Sequence, residues 1–321
     1  MEKIFSKKII WFLIPVLCLI IAVAAFFLYR SNTSSGLNTD MYIKGGTSVT
    51  ISVGTDAVVN YEANIDRINA ILEKNGVSNA SFELSTRTYD DQAKIIVTYC
   101  DVKGANMIDI NNNIINEIKE AYKDIVTVED YVAVKSIGSA FNDSVILNAL
   151  LAFGIAFLLI HVYMLIRYGW ANALSGLLSS LVVGVITLSL IIITRTQITS
   201  SILGLIAFGM ILTAIASVIL FDKITHNARK SDFKGTKAEA ESIIGLSVKQ
   251  IFKVSLGIYI FVALAAVALL ILGFIINLKL LIYTAISVFI IDIAVCYVQL
   301  LFTTCLSAVL MSSGDKKKRK K

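Results

Sequence analysis

Residues 172–194, NALSGLLSSLVVGVITLSLIIIT, decide the fold class because they form an apolar run without a charged side chain. An α-helix needs about 20 such residues to cross the hydrocarbon core of a bilayer, which is about 30 Å thick. Comparable runs occupy residues 145–166, 198–221, 253–275 and 280–308. The second half of the chain, residues 145–308, is therefore predicted to be a bundle of five membrane-spanning helices.

A further apolar run, Ile9–Tyr29, follows Lys3, Lys7 and Lys8 near the N-terminus. It is longer than the apolar core of a secretory signal peptide, so we expect residues 1–30 to hold a short leading segment and a retained first span. The composition agrees, since 56% of the residues are hydrophobic and only 16% are charged. The sequence thus predicts an α-helical polytopic membrane protein with about six transmembrane helices.

Residues 37–135 mix charged and apolar residues as a water-soluble domain does. Alternation of apolar residues predicts strands, and apolar residues three or four apart predict helices. The strand positions are Val49, Ile51 and Val53, then Phe82 and Leu84, then Ile95, Val97 and Tyr99, and finally Val126 and Val128. The helical positions are Val58, Tyr61, Ile65, Ile68 and Leu72, closed by Gly76, and then Met107, Ile110, Ile114, Ile118 and Ala121. A turn at Asp90-Asp91 would join the second and third strands. This order of elements predicts a ferredoxin-like α+β domain.

The positions of Lys and Arg predict the topology, because cytoplasmic segments of membrane proteins carry an excess of both. Positive side chains gather at the N-terminus, at Arg167, in the loop 222–252 and in the tail 309–321, whereas Arg195 and Lys279 are exceptions. We expect both termini, that loop and that tail to be cytoplasmic and the 37–135 domain to be extracytoplasmic. Topology also accounts for the net charge of +6, so no nucleic-acid partner is expected.

Three short motifs occur in order along the chain. Tyr42-Ile43-Lys44-Gly45-Gly46-Thr47 leads into the first predicted strand, Ile166-Arg167-Tyr168-Gly169-Trp170 joins the second and third spans, and Phe221-Asp222-Lys223-Ile224 ends the fourth span. In order, spacing and topology they resemble the signatures of SecF, a protein-export membrane protein of the SecD/SecF family. The family-signature positions in this chain are Gly45, Gly46, Thr47, Arg167, Trp170, Phe221 and Asp222.

The resemblance implies both a fold and a set of partners. Its fold would be half of a transporter of the RND superfamily, in the bacterial cytoplasmic membrane. SecF pairs with SecD, and the two assist the SecYEG channel by using the proton gradient to draw polypeptides outward. The resemblance therefore implies SecD, SecYEG and exported polypeptide chains as partners.

The sequence departs from the family where protons would be carried. SecF proteins commonly have a His-Asp pair in span three and an Asn-Asp pair in span four, and Val182-Val183 and Ile215-Ala216 stand at those places here. Neither pair can bind a proton. Asp292, near the middle of span six, is the candidate intramembrane proton or pairing site, since a membrane carboxylate costs about 2.5 to 3.5 kcal/mol on insertion scales. The alternative is a carboxyl that only holds helices together by hydrogen bonding.

Two other functions stay open beside the SecF-like role. One is an RND-type half-transporter for a lipid or small molecule, and the other is a degenerate, structural SecF subunit without its own proton path. The sequence has only two histidines, no nucleophile elbow and no phosphate-binding glycine loop. We therefore expect no catalytic site, no cofactor and no metal site, and a transport component rather than an enzyme.

Overall fold

The computed structural model describes residues 5, 8–33, 37–39, 43, 45–52, 60–77, 80–85, 94–100, 107–123, 132–137, 144–231, 233, 236–276 and 279–318. Its contacts divide the chain into a membrane unit, Met1–Asn38 with Ala149–Lys321, and a sheet unit, Thr39–Asn148. The elements in chain order are α1 (Lys8–Thr33), β1 (Gly46–Ser52), α2 (Tyr61–Lys74), β2 (Ser81–Ser85), β3 (Lys94–Cys100), α3 (Met107–Tyr122), β4 (Val132–Ile137), α4 (Ser144–Tyr168), α5 (Trp170–Ile193), α6 (Ser200–Lys230), α7 (Lys237–Ile276), α8 (Lys279–Tyr297), a π-helical turn (Val298–Phe302) and α9 (Thr303–Lys318).

The sheet unit has the succession β-α-β-β-α-β of the split βαβ motif. Its strands lie in the order β2-β3-β1-β4, and each neighbouring pair is antiparallel. Val49 and Ile51 alternate with half-exposed residues along β1, so one face of the strand enters the core. Ile68 of α2 and Ile118 of α3 are in the same core and have no exposed surface. Apolar residues of β1, α2 and α3 therefore form one core between the sheet and two helices.

The fourth strand differs from the prediction. β4 is formed by Val132–Ile137, whereas Val126 and Val128 lie outside the described residues, as do Val53, Val58, Asp90 and Asp91. The Val132–Ile137 stretch pairs with β1 from Val132 opposite Ile51 to Ile137 opposite Gly46. Its alternating valines carry the same period-two signal as the predicted strand, and it forms the ladder of hydrogen bonds with β1.

Among the residues that the structure describes, six helical segments are long and apolar enough to cross a bilayer, which confirms the predicted polytopic fold. They are Lys8–Ser31, Leu147–Tyr168, Trp170–Ile193, Ser200–Lys230, Lys237–Ile276 and Leu280–Ser312. The number of spans follows directly from the apolar runs, because each run exceeds the length that the hydrocarbon core requires.

Residues 222–252, assigned to a loop from the sequence, are mostly helical, because α6 extends to Lys230 and α7 begins at Lys237. α7 has 40 residues, which corresponds to about 60 Å of helix. Its first turns are amphipathic, and buried Ile244 and Val248 join the same core as Ile224 of α6. The Asn227 amide nitrogen also donates to Ser247 Oγ at 2.8 Å and to Gln250 Oε1 at 3.1 Å. Packing on α6 therefore keeps this part of the chain helical beyond the apolar run.

The turn between α5 and α6 holds the segment that follows α1. Asn38 Nδ2 donates to the carbonyl of Arg195 at 3.0 Å, and the amide of Ile198 donates to the carbonyl of Asn38 at 2.7 Å. The Arg195 guanidinium lies 4.5 Å from the centre of the Tyr29 ring, and the Tyr29 hydroxyl donates to the carbonyl of Ile193 at 3.1 Å. These contacts fasten the end of α1 and residue 38 to the α5–α6 turn.

Candidate functional site in the membrane unit

A polar seam of six side chains lies inside the bundle, between α5, α6 and the last span. All six are at most 1% exposed: Ser175, Ser179, Ser217, Gln299, Thr303 and Ser307. Polar side chains inside a bilayer are costly unless they are hydrogen-bonded, so a buried cluster of this kind has a structural or functional reason.

The α5 side of the seam is joined to α9 by hydroxyl groups. Ser175 Oγ lies 2.8 Å from Ser307 Oγ and donates to the carbonyl of Thr303 at 3.3 Å. Thr303 Oγ1 is 2.8 Å from Ser179 Oγ and 2.9 Å from the carbonyl of Val298. Because Thr303 has one hydroxyl proton for these two acceptors, its proton is shared between the π-helical turn and α5.

The α6 side of the seam depends on Gln299, which lies within the π-helical turn. Its amide nitrogen donates to the carbonyl of Ala216 at 2.9 Å, and Ser217 Oγ donates to its amide oxygen at 3.2 Å. The backbone amide of Thr303 donates to the carbonyl of Val298, which is the five-residue spacing of a π-helix. Single π-helical turns often occur at functional sites, and this one turns Gln299 towards α6.

The seam contacts the backbone of Ile215-Ala216, the pair that we expect at the place of Asn-Asp in SecF. The carbonyl of Ala216 accepts the hydrogen bond from Gln299. Ile215 beside it is 47% exposed, and Val183 of the Val182-Val183 pair is completely buried. Hydroxyl and amide side chains do not ionise near neutral pH, so the seam can orient helices but cannot store a proton.

Asp292 lies on α8, is 7% exposed and stands apart from the seam. Its electrostatic neighbours are Tyr259 of α7 and Cys296, one turn further along α8. Neither ion pair found among the described residues includes Asp292. The structure thus places this carboxyl in the bundle beside neutral side chains. The described residues also contain no cluster of three His, Cys, Asp or Glu that could hold a metal ion.

The Gly45-Gly46-Thr47 motif lies at the start of β1 in the sheet unit. Gly45 has a φ of +85°, a conformation that residues with a Cβ rarely adopt, and Gly46 begins the strand. Thr47 is 1% exposed and accepts a hydrogen bond from Asn111 Nδ2 at 2.9 Å. The Tyr99 hydroxyl donates to the Oδ1 atom of the same Asn111 at 2.8 Å. These residues therefore join β1 and β3 to α3.

The other signature positions meet at one end of the membrane unit. Arg167 and Trp170 lie on either side of Tyr168-Gly169, the connection between α4 and α5. Gly169 has a φ of +80°, which allows the chain to turn there, and Trp170 is 70% exposed. Phe221 is completely buried, with its ring centre 6.1 Å from that of Tyr168 in the same connection. Asp222, next along α6, is exposed. The structure brings Phe221 against the α4–α5 connection and leaves Asp222 at the surface.

Sequence reasoning missed the seam. Gln299 is an uncharged polar residue within a long apolar run, and Ser175 and Ser179 are one helical turn apart in span three, so both signals are present. Ser217 of α6 is the partner of Gln299 and lies 82 residues away along the chain, so neither of these signals identifies it.

We expect Gln299→Leu to destabilise the membrane unit by about 1 to 2 kcal/mol, because it removes both hydrogen bonds to α6. The measurement is thermal unfolding of the full chain in mild detergent. Ser217→Ala and the double variant complete a cycle in which a coupling of about 1 kcal/mol is expected. Strict additivity of the two changes would contradict a stabilising Ser217–Gln299 bond.

Comparison with known families gives one match over most of the membrane-spanning part. Residues 117–311 match the family described as protein export membrane protein SecD/SecF, C-terminal. This range covers more than half of the chain and includes spans two to six. None of the curated proteins matches the chain.

Two solved structures have a similar fold. One is described as SecDF, a translocon-associated membrane protein, from Thermus thermophilus; it matches 97% of this chain and 38% of its own, with 15% identity and a TM-score of 0.65. The other is described as SecDF in a super-membrane-facing form; it matches 96% of this chain and 39% of its own, with 15% identity and a TM-score of 0.61. The chain thus spans less than two fifths of each of these SecDF chains.

Proposed function

Because the chain belongs to the SecD/SecF family of protein-export membrane proteins, we propose that it is a SecF-like accessory subunit of the Sec translocase. In this role it pairs with SecD, contacts SecYEG and assists the export of polypeptides across the bacterial cytoplasmic membrane by means of the proton gradient. It acts as a transport component and not as an enzyme. The observation that carries the proposal is the family match over residues 117–311.

The extent of the structural similarity supports a role as one part of a SecD–SecF pair. Nearly the whole chain superposes on a SecDF chain, yet it accounts for only 38% of that chain. We propose that this chain corresponds to the SecF part of such a SecDF chain and that SecD corresponds to the remainder.

A second candidate is a structural SecF subunit that completes the heterodimer while SecD carries the protons. The observation that favours it is that Val182-Val183 and Ile215-Ala216, which carry no ionisable group, stand where we expect the acidic pairs of SecF. Under this version the polar seam fixes the positions of α5, α6 and α9, and proton coupling requires groups of the partner.

The test of the main proposal is affinity purification of the full chain from its native membrane in mild detergent. We expect a SecD chain to co-purify in near-equal amount and SecYEG in smaller amount, and depletion of the chain to slow export. An identically tagged, unrelated polytopic protein is the control. Purification without SecD, combined with normal export after depletion, would contradict the proposal.

The topology is tested by reporter fusions. A reporter fused after Gly76 is expected to be extracytoplasmic, and reporters after Lys234 or at the C-terminus are expected to be cytoplasmic, because Lys and Arg concentrate on that side. Paired reporters that are active on opposite sides of the membrane provide the internal control. A cytoplasmic signal at Gly76 would overturn the orientation proposed for the sheet unit.

A further inference from the structure

A cavity of about 550 Å³ opens at the end of the membrane unit where α4 turns into α5. Its polar lining consists of Tyr168, Asn172, Thr225 and Arg229, and its apolar lining consists of Ile224, Ala228, Phe233 and Met311. The cavity is largely open to the surroundings, and its volume lies within the range of small-ligand sites, about 300 to 1,000 Å³. The combination of a cation, neutral polar groups and an apolar wall suits an amphiphilic ligand.

Asn172 gives the first indication of what the cavity accepts. The side chain is 5% exposed, and its Nδ2 donates to the carbonyl of Tyr168 at 3.2 Å. Its Oδ1 is buried and has no hydrogen-bond partner in the described part of the chain. A buried acceptor without a partner is uncommon, and a ligand that donates a hydrogen bond here would satisfy it.

The N-terminus of α5 and two side chains of α6 favour a different ligand group, an anion. α5 begins after Gly169 without a side-chain cap, so the first backbone amides of this 24-residue helix receive no capping oxygen. Uncapped amides and the helix dipole favour an anion at this end. Arg229 lines the same cavity, with Thr225 one turn earlier on α6. The cavity therefore offers positive potential and donors for a phosphate.

Arg229 and the α5 N-terminus supply the positive potential, so the phosphate is assigned to them. The unpartnered Asn172 Oδ1 then suits a cationic group that donates hydrogen bonds.

The depth of the cavity in the membrane selects the class of ligand. Tyr168 ends one candidate span, Trp170 begins the next, and Met311 is the penultimate residue of the last span. The cavity is thus at the level where apolar segments end and lipid headgroups begin. Trp170 is 70% exposed beside it, as aromatic residues at membrane interfaces often are.

We propose that this cavity binds the headgroup of phosphatidylethanolamine. The phosphate contacts Arg229 and the α5 N-terminus, the primary ammonium donates to Asn172 Oδ1, and the apolar wall receives the upper part of an acyl chain. The site is specific because a phosphate acceptor and an ammonium donor are required at once.

The test is native mass spectrometry of the detergent-purified full chain with added phosphatidylethanolamine, phosphatidylcholine or phosphatidylglycerol. Phosphatidylcholine carries the same net charge as phosphatidylethanolamine, but its ammonium has no hydrogen to donate. We expect phosphatidylethanolamine to bind about tenfold more tightly than phosphatidylcholine, since one hydrogen bond involving a charged group is lost. Equal binding of these two lipids, or tighter binding of phosphatidylglycerol, would overturn the proposal.

Substitutions test which residues contact the lipid headgroup. Asn172→Leu is expected to abolish the preference for phosphatidylethanolamine over phosphatidylcholine, whereas Asn172→Asp, which keeps an acceptor oxygen, retains it. Arg229→Gln is expected to weaken both lipids, and Lys230→Gln, which removes a neighbouring exposed cation outside the cavity lining, leaves binding unchanged. Equal effects of Arg229→Gln and Lys230→Gln on lipid binding would show that binding depends only on general surface charge, which would overturn the proposal. Displacement by inorganic phosphate alone would identify a free-phosphate site instead and would also overturn the proposal.

Discussion

Gly209→Leu is expected to disrupt the packing of α6 on α8 and to cause the largest loss of stability of any single glycine replacement in α6. A Cβ at position 209 would lie 2.7 Å from Cγ2 of Ile291 and 3.9 Å from Cγ1 of Val183. Ile291 cannot easily turn aside, because its β-branched side chain has few permitted rotamers. Overpacking of this kind costs about 1 to 3 kcal/mol, and leucine adds further atoms beyond the Cβ.

The matched control is Gly204→Leu on the same helix. A Cβ at position 204 has no atom within 4 Å, so leucine meets open space there. Replacement of a helical glycine by leucine removes a helix-propensity penalty of up to about 1 kcal/mol, and the control is expected to be neutral or slightly stabilising. The measurement is the fraction of full chain that elutes as a single species after heating in mild detergent. Equal losses for both variants would contradict a close α6–α8 contact at Gly209.

Asp292→Asn is expected to preserve export and complex assembly, whereas Asp292→Leu is expected to weaken assembly. An ionised carboxylate near the bilayer centre costs about 2.5 to 3.5 kcal/mol on insertion scales, and an amide of the same shape bears no charge. Asn also keeps the ability to hydrogen-bond, which Leu lacks, and one interhelical hydrogen bond in a membrane contributes about 0.6 to 2 kcal/mol. The environment favours this structural role, because Tyr259 and Cys296 are neutral neighbours of Asp292.

The experiment measures secretion with and without a proton gradient, together with recovery of the complex, in cells that carry each variant. A group that binds and releases a proton during transport cannot be replaced by either Asn or Leu. Loss of gradient-dependent export in both variants, with assembly intact, would therefore contradict the structural role and assign proton coupling to Asp292. Export and assembly unaffected by both changes would exclude any essential role for this carboxyl.

The elements that follow from local periodicity were predictable. The alternation of Val49 with Ile51 and the helical spacing of Ile114 with Ile118 predict secondary structure directly, and all four residues are buried in the core of the sheet unit. The spans follow from apolar length alone. The fourth strand was predicted at Val126 and Val128, whereas β4 is Val132–Ile137. Valines alternate in both stretches, and only the pairing with β1 identifies the second one as a strand.

Features that depend on distant partners were not predictable. The π-helical turn arises inside a long, mostly apolar run, and hydropathy does not detect its altered hydrogen bonding. The bond from Gln299 to Ala216 joins residues 83 positions apart, so neither residue alone indicates it. The long α7 was missed for a similar reason. Asn227 and its partner Ser247 are polar and suggest a loop until their mutual contact is seen.

The attachment at Asn38 has a mechanical consequence. Asn38 is the last residue of the membrane unit before the chain enters the sheet unit, and the α5–α6 turn holds both its carbonyl and its side chain. A pull on the sheet unit is therefore not borne by α1 alone. Tension along the backbone reaches Arg195 and Ile198 first, and from there it loads α5 and α6, the two helices that flank the buried Gln299 and Thr303 contacts. In the reverse direction, a tilt of the α5–α6 pair would pull on Asn38 and on the end of α1.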